Sequence, residues 1–254
     1  MGRERVDNKL CFLEPGRPVA ILVDGGFFHR RYPSVFLRPD GKAHTAEQAA
    51  RNLYTMVLRH AEGHTLYRVF YYDCPPLEKK AHHPITGKSI DFSKSETAAF
   101  RRAFIEKLKR MRKVAIRLGH LSPMNEWLLK PEATRQLLAR KKGIEDLQES
   151  DVFYETRQKG VDMRIGLDIA SLAYKRLVGR IVLVAGDSDF VPAAKLARRE
   201  GIDFILDPMW MTVPDELHGH VDGVESKWNR PARGPAVLEA KSRVRQDRPE
   251  REER

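Results

Sequence analysis

Four aspartates stand where an apolar run gives way to a turn or a helix. Asp24 follows Val19-Ala20-Ile21-Leu22-Val23, Asp162 closes Lys159-Gly160-Val161-Asp162, and Asp187 and Asp189 lie in Gly186-Asp187-Ser188-Asp189-Phe190, just after Ile181-Val182-Leu183-Val184-Ala185. Taken singly, each has an ordinary reading. Asp162 and Asp189 fall at N-cap positions, Asp187 follows a glycine as turn residues do, and Asp24 precedes Gly25-Gly26 in what can be a plain turn. Their coincidence says more, because strand ends of one parallel sheet meet at the edge where open α/β sheets bind ligands. Carboxylates crowded there repel one another unless some are protonated or a cation neutralises them. A hard divalent ion such as Mg2+ suits them: it takes oxygen ligands, keeps several waters and serves phosphoryl chemistry.

Other residues join this set with less force. Asp168 lies on the helical face of Ile165, Ile169 and Leu172, at about 120° from Asp162, which makes it either a structural hydrogen-bond acceptor or a support for the acids. Asp73 also ends a strand-like run, but Pro75 and Pro76 follow and give it a turn reading; His29 reads as a surface histidine. Arg30, Arg31, Arg101, Arg102, Arg198 and Arg199 are the basic residues able to track a phosphate backbone, each with a solvated-face reading beside it. His82, His83 and Cys74 lack the second cysteine pair that a zinc site would want.

The elements that must position these groups alternate between short β-branched runs and amphipathic stretches, the pattern of a parallel sheet covered on both faces by helices. The expected architecture is a three-layer α/β sandwich with a central, mostly parallel sheet. Strands are expected over 19–23, 66–72, 114–118, 152–156, 180–185 and 202–206, and helices over 45–61, 95–112, 131–142, 162–175 and 189–200. Thr45 and Gln48 stand in capping-box positions. Residues 74–94, with three prolines and mixed charge, read as an inserted surface loop.

The whole chain has 254 residues, 41% of them hydrophobic, and 46 Lys+Arg against 35 Asp+Glu give a formal charge of +11. That excludes fibrous and wholly disordered classes and leaves a basic globular domain, with an extension over 1–17, the domain over 18–228 and a charged tail over 229–254 that reads as disordered. The acids Glu239, Asp247, Glu250, Glu252 and Glu253 offset much of the tail's basic charge, so the surplus falls mainly on the folded body. Two cysteines, Cys11 and Cys74, give no disulfide framework, and no apolar run approaches the ~20 residues of a membrane span. A cytoplasmic protein with no membrane partner is expected, with homodimer formation left open.

At Asp24, at Lys159-Gly160-Val161-Asp162 with Asp168, and above all at Gly186-Asp187-Ser188-Asp189-Phe190 followed by Ala197-Arg198-Arg199-Glu200-Gly201, the sequence resembles the NYN domain family in its LabA-like branch, among the PIN-like nucleases. The resemblance spans about 19–206. It implies a PIN-like fold, an acidic pocket for Mg2+ or Mn2+, and endonucleolytic hydrolysis of RNA, with DNA also open as substrate. Carried over by position, Asp24, Asp162, Asp187 and Asp189 are the catalytic and metal-site acids, with Asp168, Ser188 and Lys159 in support. Where the family commonly has an Asn three residues after the first Asp, this chain has Phe27. The competing reading is a non-catalytic nucleic-acid-binding module with a degenerate PIN-like site. Dinucleotide-binding and P-loop readings fail because Asp24-Gly25-Gly26-Phe27-Phe28-His29 is neither GxGxxG nor a phosphate loop, and a haloacid-dehalogenase reading fails because Gly26 stands where its second Asp would be.

Overall fold

The computed structural model describes residues 17–122 and 126–231. Most of the N-terminal extension, with Cys11, and the tail beyond residue 231 lie outside the described residues. Strand β1, Val19–Asp24, is buried along its whole length, as an uninterrupted apolar run requires of a strand covered on both faces. Helix α1, Gly25–Val35, follows without a loop. Asp24 makes this possible by keeping an extended backbone while its carboxylate accepts the Phe27 N–H at 3.0 Å, so the residue that ends the strand also caps the helix. The sequence signals no helix here, since Gly25-Gly26 reads as a turn and Pro33 as a breaker.

Helix α2, Ala46–His60, begins with the expected Thr45–Gln48 capping box and leads to β2, Leu66–Asp73. The expected surface loop over 74–94 instead contains an antiparallel hairpin, β3 (Lys80–His82) with β4 (Ser89–Asp91). Ser95 caps α3, Glu96–Lys109, which runs to β5, Val114–Leu118. Short elements come next, among them β6 (His120–Leu121), β7 (Trp127–Leu129), α4 (Pro131–Leu138), β8 (Val152–Tyr154) and β9 (Gln158–Lys159). The remainder is α5 (Val161–Tyr174), β10 (Arg180–Val184), α6 (Val191–Arg199), β11 (Asp203–Asp207), α7 (Asp215–His218) and β12 (Gly223–Val224).

The central sheet has the order β12-β11-β10-β1-β2-β5, and every pairing in it is parallel. Alternation along β1 divides the core: Val19, Ile21 and Val23 face Phe28, Leu53, Met56 and Phe104 of α1, α2 and α3, whereas Ala20 and Leu22 face Ile165, Ile169, Ala194 and Ala197 of α5 and α6. The three layers are those expected. One strand is corrected. The run at 152–156 does not enter the sheet; β8 pairs antiparallel with β7 in a separate ladder, because a three-residue apolar run carries no information about which partner it meets.

The chain builds outward from β1 through β2 to β5, then returns to β10 on β1's other side and continues to β11 and β12. The order therefore reverses between β1 and β10. In doubly wound sheets that reversal opens a crevice at the carboxyl ends of the strands.

Candidate functional site

Two of the four aspartates flank this crevice. Asp24 ends β1, and Asp187 follows β10, where its carboxylate caps the short 3-10 turn Ser188–Phe190 and accepts the Asp189 N–H at 3.1 Å. Asp162 reaches the same place by another route: not from a strand end, since β8 lies outside the sheet, but from the first turn of α5. The cap of α5 is Gly160, whose φ of 78° favours glycine. Asp162 and Asp189 are thus not N-caps, and their carboxylates are left for other partners.

Charge links the acids through Asp162. Burial pushes the Asp24 carboxyl above its ordinary range and Asp162 raises it further, against the Phe27 N–H and the Arg30 guanidinium, which lower it. Asp162 is also pushed up, first by desolvation and then by Asp187 and Asp189, with Arg30 opposing. Arg30 is the basic side chain placed among the acids. Phe27, standing where the resemblance leads one to expect Asn, is buried, and its ring lies where a Cβ on Gly186 would come within 2.5 Å of it. It braces the backbone just ahead of Asp187 and offers no polar group.

Beside the acids opens a cleft of about 500 Å3 lined by Gly26, His29, Arg30, Arg101, Thr156 and Gln158. Gly26 is the junction, since a Cβ there would lie 3.2 Å from Gln158 Oε1, 3.3 Å from Asp24 Oδ1 and 3.6 Å from Arg30 Nη1. Behind it runs a buried polar network that the sequence did not disclose. Asp73 is fully buried rather than a turn residue, and its Oδ2 accepts from Arg101 Nη1 and, at 2.8 Å, from the Tyr71 hydroxyl. The one Tyr71 proton being so used, the 3.0 Å contact between Tyr71 Oη and His29 Nε2 needs the histidine to donate, which fixes the neutral Nε2–H tautomer. His29 lies 3.8 Å from Asp73, yet burial and the Arg101 charge hold its pKa down at about 3. Asp73's negative charge is already answered by Arg101, so desolvation prevails at His29. The available signal was that Asp73 ends a buried strand as Asp24 does; Pro75 and Pro76 masked it.

The remaining expected residues divide between this edge and other parts of the fold. Asp168 accepts from the Tyr72 hydroxyl at 2.7 Å and from Arg117 Nε at 3.2 Å, about 9 Å along α5 from Asp162, so its role here is to tie α5 to β2 and β5. Arg31 donates to the Met209 carbonyl, and Arg102 to the Ser93 carbonyl. Arg198 and Arg199 sit in the last turn of α6, the end opposite the acids, where Arg198 pairs with Asp222 at 2.8 Å and both line a separate cavity of about 1000 Å3. Ser188 lies between Asp187 and Asp189 in their turn, and Lys159 is exposed in β9, one residue before the Gly160 cap. His83 accepts backbone N–H groups from Ile85 and Thr86, and the Cys74 thiol lies against the His120 carbonyl, so no zinc set forms from them.

Among the described residues, no three His, Cys, Asp or Glu side chains close on a common point tightly enough to hold a metal by themselves. The donor set nonetheless fits a hard divalent ion: the acids are oxygen donors with an excess of negative charge, and Mg2+ takes one or two carboxylates directly while keeping its waters. No helix among the described residues is long and apolar enough to cross a membrane.

No curated protein matches this sequence. Among solved structures, a protein of unknown function from Vibrio parahaemolyticus is similar at 11% identity and a TM-score of 0.40, over 85% of this chain and 98% of that one. A Sir2–p53 peptide–NAD+ complex is similar at 13% identity and a TM-score of 0.31, over 92% and 94%. Both likenesses are too slight to inform the site. The family model of the NYN domain matches residues 90–215. That span holds three of the four acids with the helix and strand that carry them, and leaves β1 with Asp24 outside it. Residues 90–215 carry an NYN domain, a domain of the PIN-like nuclease superfamily.

Proposed function

We propose that the protein is an endoribonuclease that hydrolyses RNA phosphodiester bonds at the site formed by Asp24, Asp162, Asp187 and Asp189 with Mg2+ or Mn2+. The observation that carries this is the gathering of four carboxylates at the sheet's switch point, with Asp187 and Asp189 close enough to raise the cost of ionising Asp162, and Asp162 that of Asp24. The NYN domain over residues 90–215 supports the reaction class. A divalent cation held by these oxygens supplies a water activated for in-line attack on phosphorus and charge to offset the transition state.

The chain's own groups do the positioning. Asp24 is fixed by the Phe27 N–H and Asp187 by the Asp189 N–H, so both carboxylates are pre-oriented. Arg30 and Arg101 line the adjoining cleft and can meet phosphate oxygens through charge-assisted hydrogen bonds. Gly26 keeps the passage between acids and cleft open. The test is cleavage of a panel of RNA oligonucleotides with Mn2+ or Mg2+: activity that vanishes with EDTA and in Asp24→Asn supports the reading, and cleavage indifferent to both rejects it. A non-catalytic binding module is the second reading, favoured by Phe27 in place of a polar residue. It predicts RNA affinity that falls steeply with salt and no cleavage with any divalent metal.

A further inference from the structure

The cleft beside the acids does not end at Arg101. Arg101, Thr156 and Gln158 are shared with a second cavity of about 400 Å3, whose other walls are Cys74, Pro75, Pro76, Leu77, Phe92, Ser95, Thr97, Ala98, Leu121 and Tyr154. Its character differs from that of the cleft. Half-buried Phe92 and Tyr154 stack obliquely with ring centroids 4.8 Å apart, Trp127 braces Tyr154 edge-on at 5.3 Å, and Lys79 sits 5.8 Å above the Tyr154 ring. These walls come from outside the central sheet: the 74–94 insertion gives Leu77 and Phe92, the β7–β8 ladder gives Tyr154, and the strand β9 gives Gln158. The 74–94 insertion and the β7–β8 ladder therefore meet over one pocket that opens beside the acids.

The geometry points to a pocket for one unpaired nucleobase of the RNA strand, held beside the acids by elements outside the central sheet. This rests on the reading of the acids as the cleavage site. The chemistry is that of base recognition: an aromatic wall for the π-face, polar groups of Thr97, Thr156 and Gln158 for an edge, and Arg101 at the mouth for the flanking phosphate. The volume lies in the range of small-ligand pockets and is too small for a base pair with its backbone. A base can enter only if it is unstacked and unpaired, which a duplex does not permit. Gln158 is held for this by its amide contact with Asp73 at 3.4 Å, leaving Oε1 toward Gly26.

Two substitutions test it, neither at an acid. Tyr154→Leu removes one ring of the aromatic wall and the support of Phe92; Thr97→Trp, at an exposed position in the first turn of α3, fills the pocket without removing any core side chain. Binding is read by fluorescence anisotropy in EDTA, using a labelled 12-nucleotide single-stranded RNA and the same RNA as a duplex. Each variant is expected to weaken single-strand binding roughly tenfold or more, within the span of base–aromatic stacking, and to leave duplex binding within about twofold. With Mn2+, KM for the single strand rises while kcat changes little. Wild-type protein that binds both forms equally, with neither variant altering affinity or KM, overturns the pocket whether or not RNA is cleaved. Pocket-dependent single-strand binding without cleavage under any metal retains the pocket and rejects the nuclease reading. Should Tyr154→Leu fail to fold, the Thr97→Trp result decides.

Discussion

Asp24 ends a strand, caps a helix and feels the charge of Asp162, and these roles can be separated by substitution. Asparagine caps as well as aspartate, so Asp24→Asn keeps the bond to Phe27 and removes only charge. The sign follows from its raised pKa: a carboxyl raised in the fold contributes stability below its unfolded value near 3.8, and that contribution is lost as pH climbs through the folded pKa. At neutral pH without divalent ions, Asp24→Asn is therefore expected to unfold at a higher temperature than wild type, and to lose the further rise that Mn2+ gives wild type. Thermal melts with and without Mn2+ check both. His29 has the opposite sign. Held at a pKa of about 3, it stays neutral in the fold while the unfolded chain protonates below pH 6.5, so stability falls as pH drops from 6.5 toward 4, by about 1 kcal/mol per unit. Urea titrations at several pH values should show this slope, and His29→Gln should flatten it. Asp24, Asp187 and Asp189 were legible beside apolar strand runs, whereas Asp162 was expected from a strand end and comes instead from the first turn of α5. Asp73 and His29 were not legible, since their partnership depends on β1 and β2 lying side by side, and 42 residues separate His29 from Tyr71.

At the scale of elements, α1 is the joint of the site, and its entry is tight. A Cβ on Gly25 would lie 2.5 Å from the Tyr71 hydroxyl and 2.6 Å from the Tyr72 carbonyl, and the latter is backbone and has little freedom to yield. Gly25→Ala is expected to cost about 2–3 kcal/mol in denaturant unfolding, as overpacking does, and to displace Asp24. Strands β1, β2 and β5 and the capped helix α2 were legible at nearly their observed bounds, because apolar runs and a capping box are local signals. Helix α1 and the placement of β8 were not. One is disguised by glycines and a proline, and the other depends on which strand it meets.

Over the whole molecule, a buried pair joins distant parts of the chain: His60 Nε2 of α2 lies 2.7 Å from Asp207 Oδ2 at the end of β11, and both side chains are almost wholly buried. Removing the imidazole leaves Asp207 Oδ2 buried without its partner and opens a cavity, so His60→Ala is expected to destabilise the fold by about 2–4 kcal/mol in urea unfolding. The +11 charge of the chain also resolves into places. Arg30 and Arg101 stand at the acidic cleft, whereas Arg198 and Arg199 line the cavity at the far end of α6. A reading from composition saw only a surplus of positive charge, because partition between two ends of a helix is a property of the fold.

The central claim is that the four converging carboxylates make the chain a metal-dependent ribonuclease. It is tested most directly by the rate at which wild type and Asp187→Ala/Asp189→Ala cleave single-stranded RNA in Mn2+. Both residues are exposed, so the double variant should keep its fold. The expected result is a loss of about a hundredfold or more in rate, with RNA binding in EDTA retained. Equal cleavage by the two proteins across a panel of RNAs would contradict it.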